Sequence, residues 1–254
     1  MSTLTRDGVD IYYEVHGSGP VILLSHGYSS TSAMWRGQIA PLSKEHTLVL
    51  WDMRGHGESD YPEDQSQYSE EHTVADMAAI LDAVGAREAV VGGLSLGGYM
   101  SLAFHLAHPE RVKALLIIDT GPGFKKDEPR ADWNANAERT AQKYAQEGLG
   151  PLESSTAERR TARHRDARGL ELAARGMLAQ RDARVIASLP DIKVPSLVVV
   201  GALDTNFLIA ADYMAKKIPG AEKVVIDGAG HAANIDRPKT FNNAIVEFLK
   251  RHSL

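Results

Sequence analysis

AVVGGLSLGGYMSLAFHLA, residues 89–107, reads as a buried strand (Ala89–Gly92), a turn carrying one serine, and a helix (Leu96–Ala107) closed by Pro109. The core of the stretch is Gly93-Leu94-Ser95-Leu96-Gly97. A sharp strand-to-helix turn of this kind holds its serine in a strained backbone and lifts the hydroxyl clear of the sheet. Glycine suits positions 93 and 97 because side chains there would collide with neighbouring backbone. The helix N-terminus favours negative charge developing close by.

The same alternation extends outward in both directions. Upstream, Asp7-Gly8 supplies a turn between two β-type segments, Thr3–Arg6 and Val9–His16, a hairpin signature. Val21–Ser25 and Thr47–Trp51 are short apolar runs typical of strands buried on both faces. Between them lie His26-Gly27, a Ser/Thr cluster and a predicted helix over Ala33–Lys44. After the loop Asp52–Asp60, Thr73–Val84 is amphipathic at helical spacing and stops at Gly85. Downstream, Val112–Ile118 is a further strand, and the pattern breaks at Gly121. From Phe124 to Leu189 no strand is evident, the composition is rich in Ala, Arg and Glu, and several short helices are expected. Alternation then resumes with strand Ser196–Val200, helix Ile209–Lys217, strand Lys223–Ile226 and helix Thr240–Lys250.

Repeated strand–helix units predict an α/β fold with a mostly parallel twisted sheet, an N-terminal hairpin, and a helical cap inserted before the last two strands. The expected division is a core over residues 1–123 and 190–254, with the cap over 124–189. Such an insertion sits over the carboxyl ends of the strands, where open α/β sheets bind ligands.

Bulk properties narrow the function. The chain has 254 residues, 43% hydrophobic and 24% charged, an ordinary globular balance that needs no second core. A formal charge of −5 with interspersed signs argues against a nucleic-acid or membrane partner. The absence of cysteine excludes disulfides, thiolate catalysis and Cys-ligated metals, and fits a reducing cytosol. The first residues lack a basic stretch followed by an apolar one, and no apolar run is long enough for a bilayer. A cytoplasmic enzyme acting on a small molecule, with no cofactor and no metal, is the expectation.

A serine hydroxyl needs a base to become a nucleophile. Of ten histidines, His231 in Gly228-Ala229-Gly230-His231 follows the last predicted strand, at the same sheet edge as Ser95. His16 and His46 lie away from that edge, and His252 is in the tail. His105 and His108, one helical turn apart, read as a solvated helix end because no third metal ligand is evident. The base needs an anion to fix its tautomer. Asp204 follows Ser196–Val200 through Gly201-Ala202-Leu203, Asp119 terminates Val112–Ile118 and is its rival, and Asp227 is too near His231 in sequence. Backbone donors for an oxyanion are expected from Leu96, after the serine, and from Tyr28, in the loop opened by His26-Gly27.

Taken together these residues resemble the α/β-hydrolase superfamily. His26-Gly27, Asp52-Met53-Arg54-Gly55-His56-Gly57-Glu58-Ser59, Gly93-Leu94-Ser95-Leu96-Gly97-Gly98, Asp204 and Gly230-His231 fall in its order, and the match covers nearly everything outside Phe124–Leu189. The resemblance carries the nucleophile to Ser95, the base to His231 and the acid to Asp204, whose preceding turn resembles the usual acid-bearing loop. It makes Arg54 and His56 loop scaffolding and Phe124–Leu189 a cap that shapes the pocket. A serine, where haloalkane dehalogenases and epoxide hydrolases use aspartate, sets this chain in the serine branch. Gly230-His231-Ala232-Ala233-Asn234-Ile235-Asp236-Arg237-Pro238 is similar to enol-lactonases and related carboxylesterases, whereas carbon–carbon bond hydrolases usually carry tryptophan where Ala232 stands. The implied reaction is hydrolysis of a carboxylic ester or lactone through an acyl-enzyme. Carbon–carbon hydrolysis, thioester hydrolysis, acyl transfer and a triad-retaining receptor are the alternatives.

Pocket candidates by position are His26, Tyr28, Trp35, Tyr99, Phe124, Trp133 and Phe207. The cap arginines Arg159, Arg160, Arg163, Arg165 and Arg168 read as solvated helix faces paired with nearby acids, with carboxylate recognition as the alternative.

Overall fold

The structure, a computed structural model, describes residues 2–153 and 155–254. One eight-stranded sheet runs β1 (Ser2–Arg6), β2 (Val9–Gly17), β4 (Thr47–Trp51), β3 (Val21–Ser25), β5 (Ala89–Leu94), β6 (Val112–Ile118), β7 (Ser196–Gly201), β8 (Glu222–Ile226). β1 pairs antiparallel with β2, and β2 antiparallel with β4. Every pairing from β4 across to β8 is parallel.

The apolar runs sort by period two onto the two faces of the sheet. Leu23, Val49, Val91, Leu115, Ile117 and Val198 enter one buried cluster together with Met77 and Ile80 of α2 (Glu70–Ala83) and Met100 and Phe104 of α3 (Leu96–Ala107). Ile22, Leu24, Leu48, Leu50, Val90, Leu116 and Val199 enter the other, with Leu42 of α1 (Arg36–Leu42) and Phe241, Ile245 and Phe248 of α10 (Pro238–Arg251). Strands apolar at successive positions need cover on both sides, and helices on both sides provide it.

Several helices differ in extent from the expectation, and two show why. α2 begins at Glu70, because Ser69 caps it by accepting a hydrogen bond from the His72 N–H at 3.1 Å. Between β6 and β7 the chain opens with one long helix, α4 (Asp127–Glu147), in place of the expected short ones. Its buried side is only Ala137, Ala141 and Tyr144, so helical periodicity is faint, while the run of good helix formers without internal glycine sustains 21 residues until Gly148 at φ 60°. Short helices follow: α5 (Ala157–Arg160), α6 (Ala167–Ala173), a π-helical turn (Ala174–Leu178) and α7 (Arg184–Ser188). The chain then closes with α8 (Thr205–Lys217), α9 (Ala233–Asp236) and α10.

No described helix is long and apolar enough to cross a membrane.

Candidate active site

Ser95 sits between β5 and α3 with φ 55° and ψ −116°, a conformation that costs a non-glycine residue about 1–3 kcal/mol. Three hydrogen bonds hold it there. The Ser95 N–H donates to the Ile118 carbonyl at the end of β6 (3.0 Å), and its carbonyl accepts from the Tyr99 N–H (3.0 Å) and the Thr120 hydroxyl (2.6 Å). The turn is tight enough that a Cβ on Gly93 would fall 2.5 Å from the Gly97 carbonyl carbon, and one on Gly97 would fall 2.3 Å from the Ser25 carbonyl oxygen.

The β7–α8 and β8–α9 connections bring a second pair of groups to this edge. His231 Nδ1 lies 2.7 Å from Asp204 Oδ2. Asp204 occupies the N-cap position of α8, where an aspartate normally accepts from the helix's own amides; here its side chain makes no such bond and turns to the imidazole. A carboxylate oxygen accepts from Nδ1–H, which keeps the proton on Nδ1 and leaves Nε2 as the basic nitrogen. The Phe207 ring stacks on the imidazole, centroids 5.1 Å apart and planes at 27°.

Asp119 serves the backbone instead. It ends β6 at φ 43° and is fully buried. One carboxylate oxygen accepts the Gly201 N–H (2.7 Å) and the other the Ala233 N–H (3.3 Å). It thus ties the strand end that leads to Asp204 to the helix that follows His231. Burial pushes its carboxyl up to about 7, against the pull of the Gly201 amide and the nearby His231.

The loop after β3 passes close to the serine, since a Cβ on Gly27 would lie 3.5 Å from Ser95 Cβ. Leu96 is the first residue of α3, where N–H groups lack an intrahelical acceptor, and among the described residues no hydrogen bond engages the Tyr28 N–H. The loop is fastened from behind. His26 Nδ1–H donates to the Gly27 carbonyl (2.7 Å), and its Nε2 accepts the Met53 N–H (2.9 Å). His56 Nε2 accepts the Ser29 N–H (3.1 Å), while Arg54 chelates Asp76 at 2.7 and 2.9 Å.

A cavity of about 410 Å³ opens above this edge. Ser95, Leu96 and His231 line its floor; Tyr28, Tyr99, Phe124, Trp133 and Phe207 stand among its walls. Two of the expected pocket residues do not reach it. His26 is fully buried and spent on the two loop bonds above. Trp35 is fully buried on the opposite face of the sheet, tilted against Phe241 at 6.4 Å, because α1 packs beside α10 there.

The cavity also holds residues that sequence reasoning did not single out, Thr120, Tyr144, Gln180 and Asn206, and of the cap arginines it did name, which were read first as solvated faces, it holds Arg159. Thr120 was findable, being one residue past a strand end on the ligand-binding edge. The others sit where no periodic signal marks the inward face. Arg165, by contrast, lies over the Tyr61 ring at 4.7 Å, and Arg168 pairs with Glu171 at 2.7 Å.

The sequence model described as the alpha/beta hydrolase fold matches residues 20–183. The chain therefore belongs to the α/β-hydrolase fold family, and it is an enzyme of that family. The "3-oxoadipate enol-lactonase 2" of Acinetobacter baylyi is 28% identical to it, over 98% of this chain and 96% of that one. Among solved structures, the enol-lactonase from Burkholderia xenovorans LB400 superposes with a TM-score of 0.79 at 27% identity, covering 98% of this chain and 100% of that one. A thermophilic esterase from Thermogutta terrifontis, solved with malate bound, gives 0.81 at 28% identity over 98% and 97%.

Proposed function

We propose that the protein is a cytoplasmic serine hydrolase that cleaves a carboxylic ester or lactone of a small molecule through an acyl-enzyme. The observation that carries this reading is the 2.7 Å contact between His231 Nδ1 and Asp204 Oδ2, which frees Nε2 in a cavity shared with the strained Ser95. The reaction runs in two halves. His231 takes the Ser95 proton as Oγ attacks the carbonyl, and the Tyr28 and Leu96 amides hold the oxyanion. The imidazolium, stabilised by Asp204, protonates the departing alcohol; His231 then draws a proton from water as its oxygen attacks the acyl carbon, and hands that proton to Ser95 Oγ as the C–Oγ bond breaks and the acid leaves. The protein groups suffice for every proton transferred. Relatives named as an enol-lactonase and an esterase support an ester or lactone carbonyl as the target.

A fluorophosphonate probe tests the assignment. The wild type is expected to take one label at Ser95 and to hydrolyse 4-nitrophenyl acetate, and Ser95→Ala to do neither. An unlabelled wild type, or a Ser95→Ala variant as active as its parent, overturns the reading.

A further inference from the structure

We infer that the substrate carries a carboxylate remote from the scissile bond, and that Arg159 is the residue that selects for it. The inference rests on the proposed site and adds the chemical class of its ligand.

Arg159 is the only side chain with a permanent charge among the described residues that line the cavity, and no carboxylate lines it. A guanidinium carries five N–H donors, yet that of Arg159 makes no hydrogen bond to any described residue, and its Nε is buried without a partner. Its neighbour Glu158 faces it from the protein side, Oε1 standing 3.8 Å from Nε, outside hydrogen-bonding distance. That carboxylate offsets part of the cost of holding a cation here without using up its donors. The other arginine charges of the cap that lie near acids are engaged: Arg165 with Asp60, Arg168 and Arg175 with Glu171, Arg184 with Asp182. Its charge has Glu158 beside it, but its N–H donors have no acceptor among the described residues, and a carboxylate fits a guanidinium fork.

Gln180 is the second observation. It is 8% exposed, lines the same cavity, and its Oε1 has no partner. Its backbone is fixed on both sides by Asn134, whose side chain donates to the Gln180 carbonyl (2.7 Å) and accepts its N–H (2.8 Å). The backbone that carries the carboxamide is thus held in place, and its Oε1 is unsatisfied by the protein. Buried polar groups are rarely left so unless a ligand completes them. The chamber holds aromatic walls for a carbon skeleton, a carboxamide to orient it, and one cation for its charged end.

Binding decides the question without relying on turnover. Monomethyl and dimethyl adipate differ by one charge, and calorimetry on a Ser95→Ala background leaves both intact. The monoester is expected to bind at least tenfold tighter than the diester, with the preference shrinking as salt rises. Adding Arg159→Met abolishes the preference; Arg159→Lys keeps part of it; Arg160→Met, which removes the same charge from an exposed neighbour, keeps all of it. Equal binding of the two esters, no binding of the monoester at millimolar concentration, or a preference that survives Arg159→Met overturns the inference. Hydrolysis of 4-nitrophenyl acetate by the parent enzyme tests the serine-hydrolase reading separately, so the two can fail apart.

Discussion

Gly97→Ala is the smallest change that strikes the proposed chemistry without touching a reacting group. A Cβ at this position would stand 2.3 Å from the Ser25 carbonyl oxygen, 2.6 Å from its carbon and 2.7 Å from the His26 carbonyl oxygen. All three are backbone atoms at the end of β3, so no side chain can swing aside. Ordinary contact needs roughly 3.4 Å, which requires the first turn of α3 and the end of β3 to part by about 1 Å. Those two segments carry the two proposed oxyanion donors, the Leu96 and Tyr28 amides. A 1 Å misplacement costs about 10²-fold, and loss of one donor about 10²–10³-fold in rate. Overpacking itself costs about 1–3 kcal/mol, well short of unfolding a domain of this size. The expected result is a folded variant with kcat for 4-nitrophenyl acetate down about 100-fold, KM little changed, and a lowered Tm. Gly150→Ala, where a Cβ meets nothing within 4 Å, is the control and leaves both unchanged. A Gly97→Ala enzyme with kcat within threefold of wild type refutes the reasoning, because the oxyanion then does not depend on the spacing of these two segments.

Two other predictions follow from the same geometry. Asp204→Asn preserves shape but presents His231 with a donor in place of an acceptor, so kcat is expected to fall about 10⁴-fold with KM little affected; a loss below tenfold in steady-state kinetics rejects Asp204 as the orienting anion. His26 and His164 are both held neutral by burial, their pKa values lowered to about 4. The unfolded chain takes up these protons near pH 6.5 and the native state does not, so their contribution is complete above pH 6.5 and is lost as pH falls toward 4. The loss is about 2 kcal/mol per histidine at pH 5. Asp119, raised to about 7, acts in the opposite direction over pH 7 to 4, so the comparison is made against a variant. His164→Gln removes one titrating group, and in urea unfolding its stability is expected to fall less than that of wild type between pH 7 and pH 5; equal falls reject a neutral native His164.

The sheet was legible because its strands are buried on both faces and short, so each appears as an unbroken apolar run with a turn after it. Ser95 was legible because a strained turn needs glycine on either side, and that requirement is written in adjacent residues. His231 was reached by position, as the histidine after a strand end on the same edge; position left Asp204 and Asp119 as rivals, and the resemblance of the turn before Asp204 to the acid-bearing loop chose between them. Trp35 was misassigned because sequence order places it after a strand without saying which face its helix covers; α1 lies on the α10 side, and the indole went with it. The cap resisted reading for another reason. α4 buries only Ala137, Ala141 and Tyr144 along its length, and α5 has four residues, too few to show which arginine turns inward.

The cap is nevertheless bound to the loop that runs beside Ser95. Three consecutive residues of the loop after β3 each hold it: the Tyr28 hydroxyl donates to the Leu170 carbonyl (2.8 Å), the Ser29 carbonyl accepts from His164 Nε2–H (3.1 Å), and the Ser30 hydroxyl donates to the Glu158 carbonyl (3.0 Å). His164 Nδ1 accepts the Gly57 N–H, which fixes the tautomer that makes the Ser29 bond possible. The residue bonded by Ser30 immediately precedes Arg159, and the residue bonded through its ring hydroxyl supplies the proposed Tyr28 amide. The site for the substrate's charge and the site for its oxyanion therefore lie at two ends of one short, hydrogen-bonded bridge. On the proposed reading, an anion at Arg159 steadies the bridge, and the bridge carries the Tyr28 amide that is to hold the tetrahedral oxygen. Binding energy from a part of the substrate that does not react is thereby spent at the reacting carbon, so loss of the remote carboxylate lowers kcat as well as affinity.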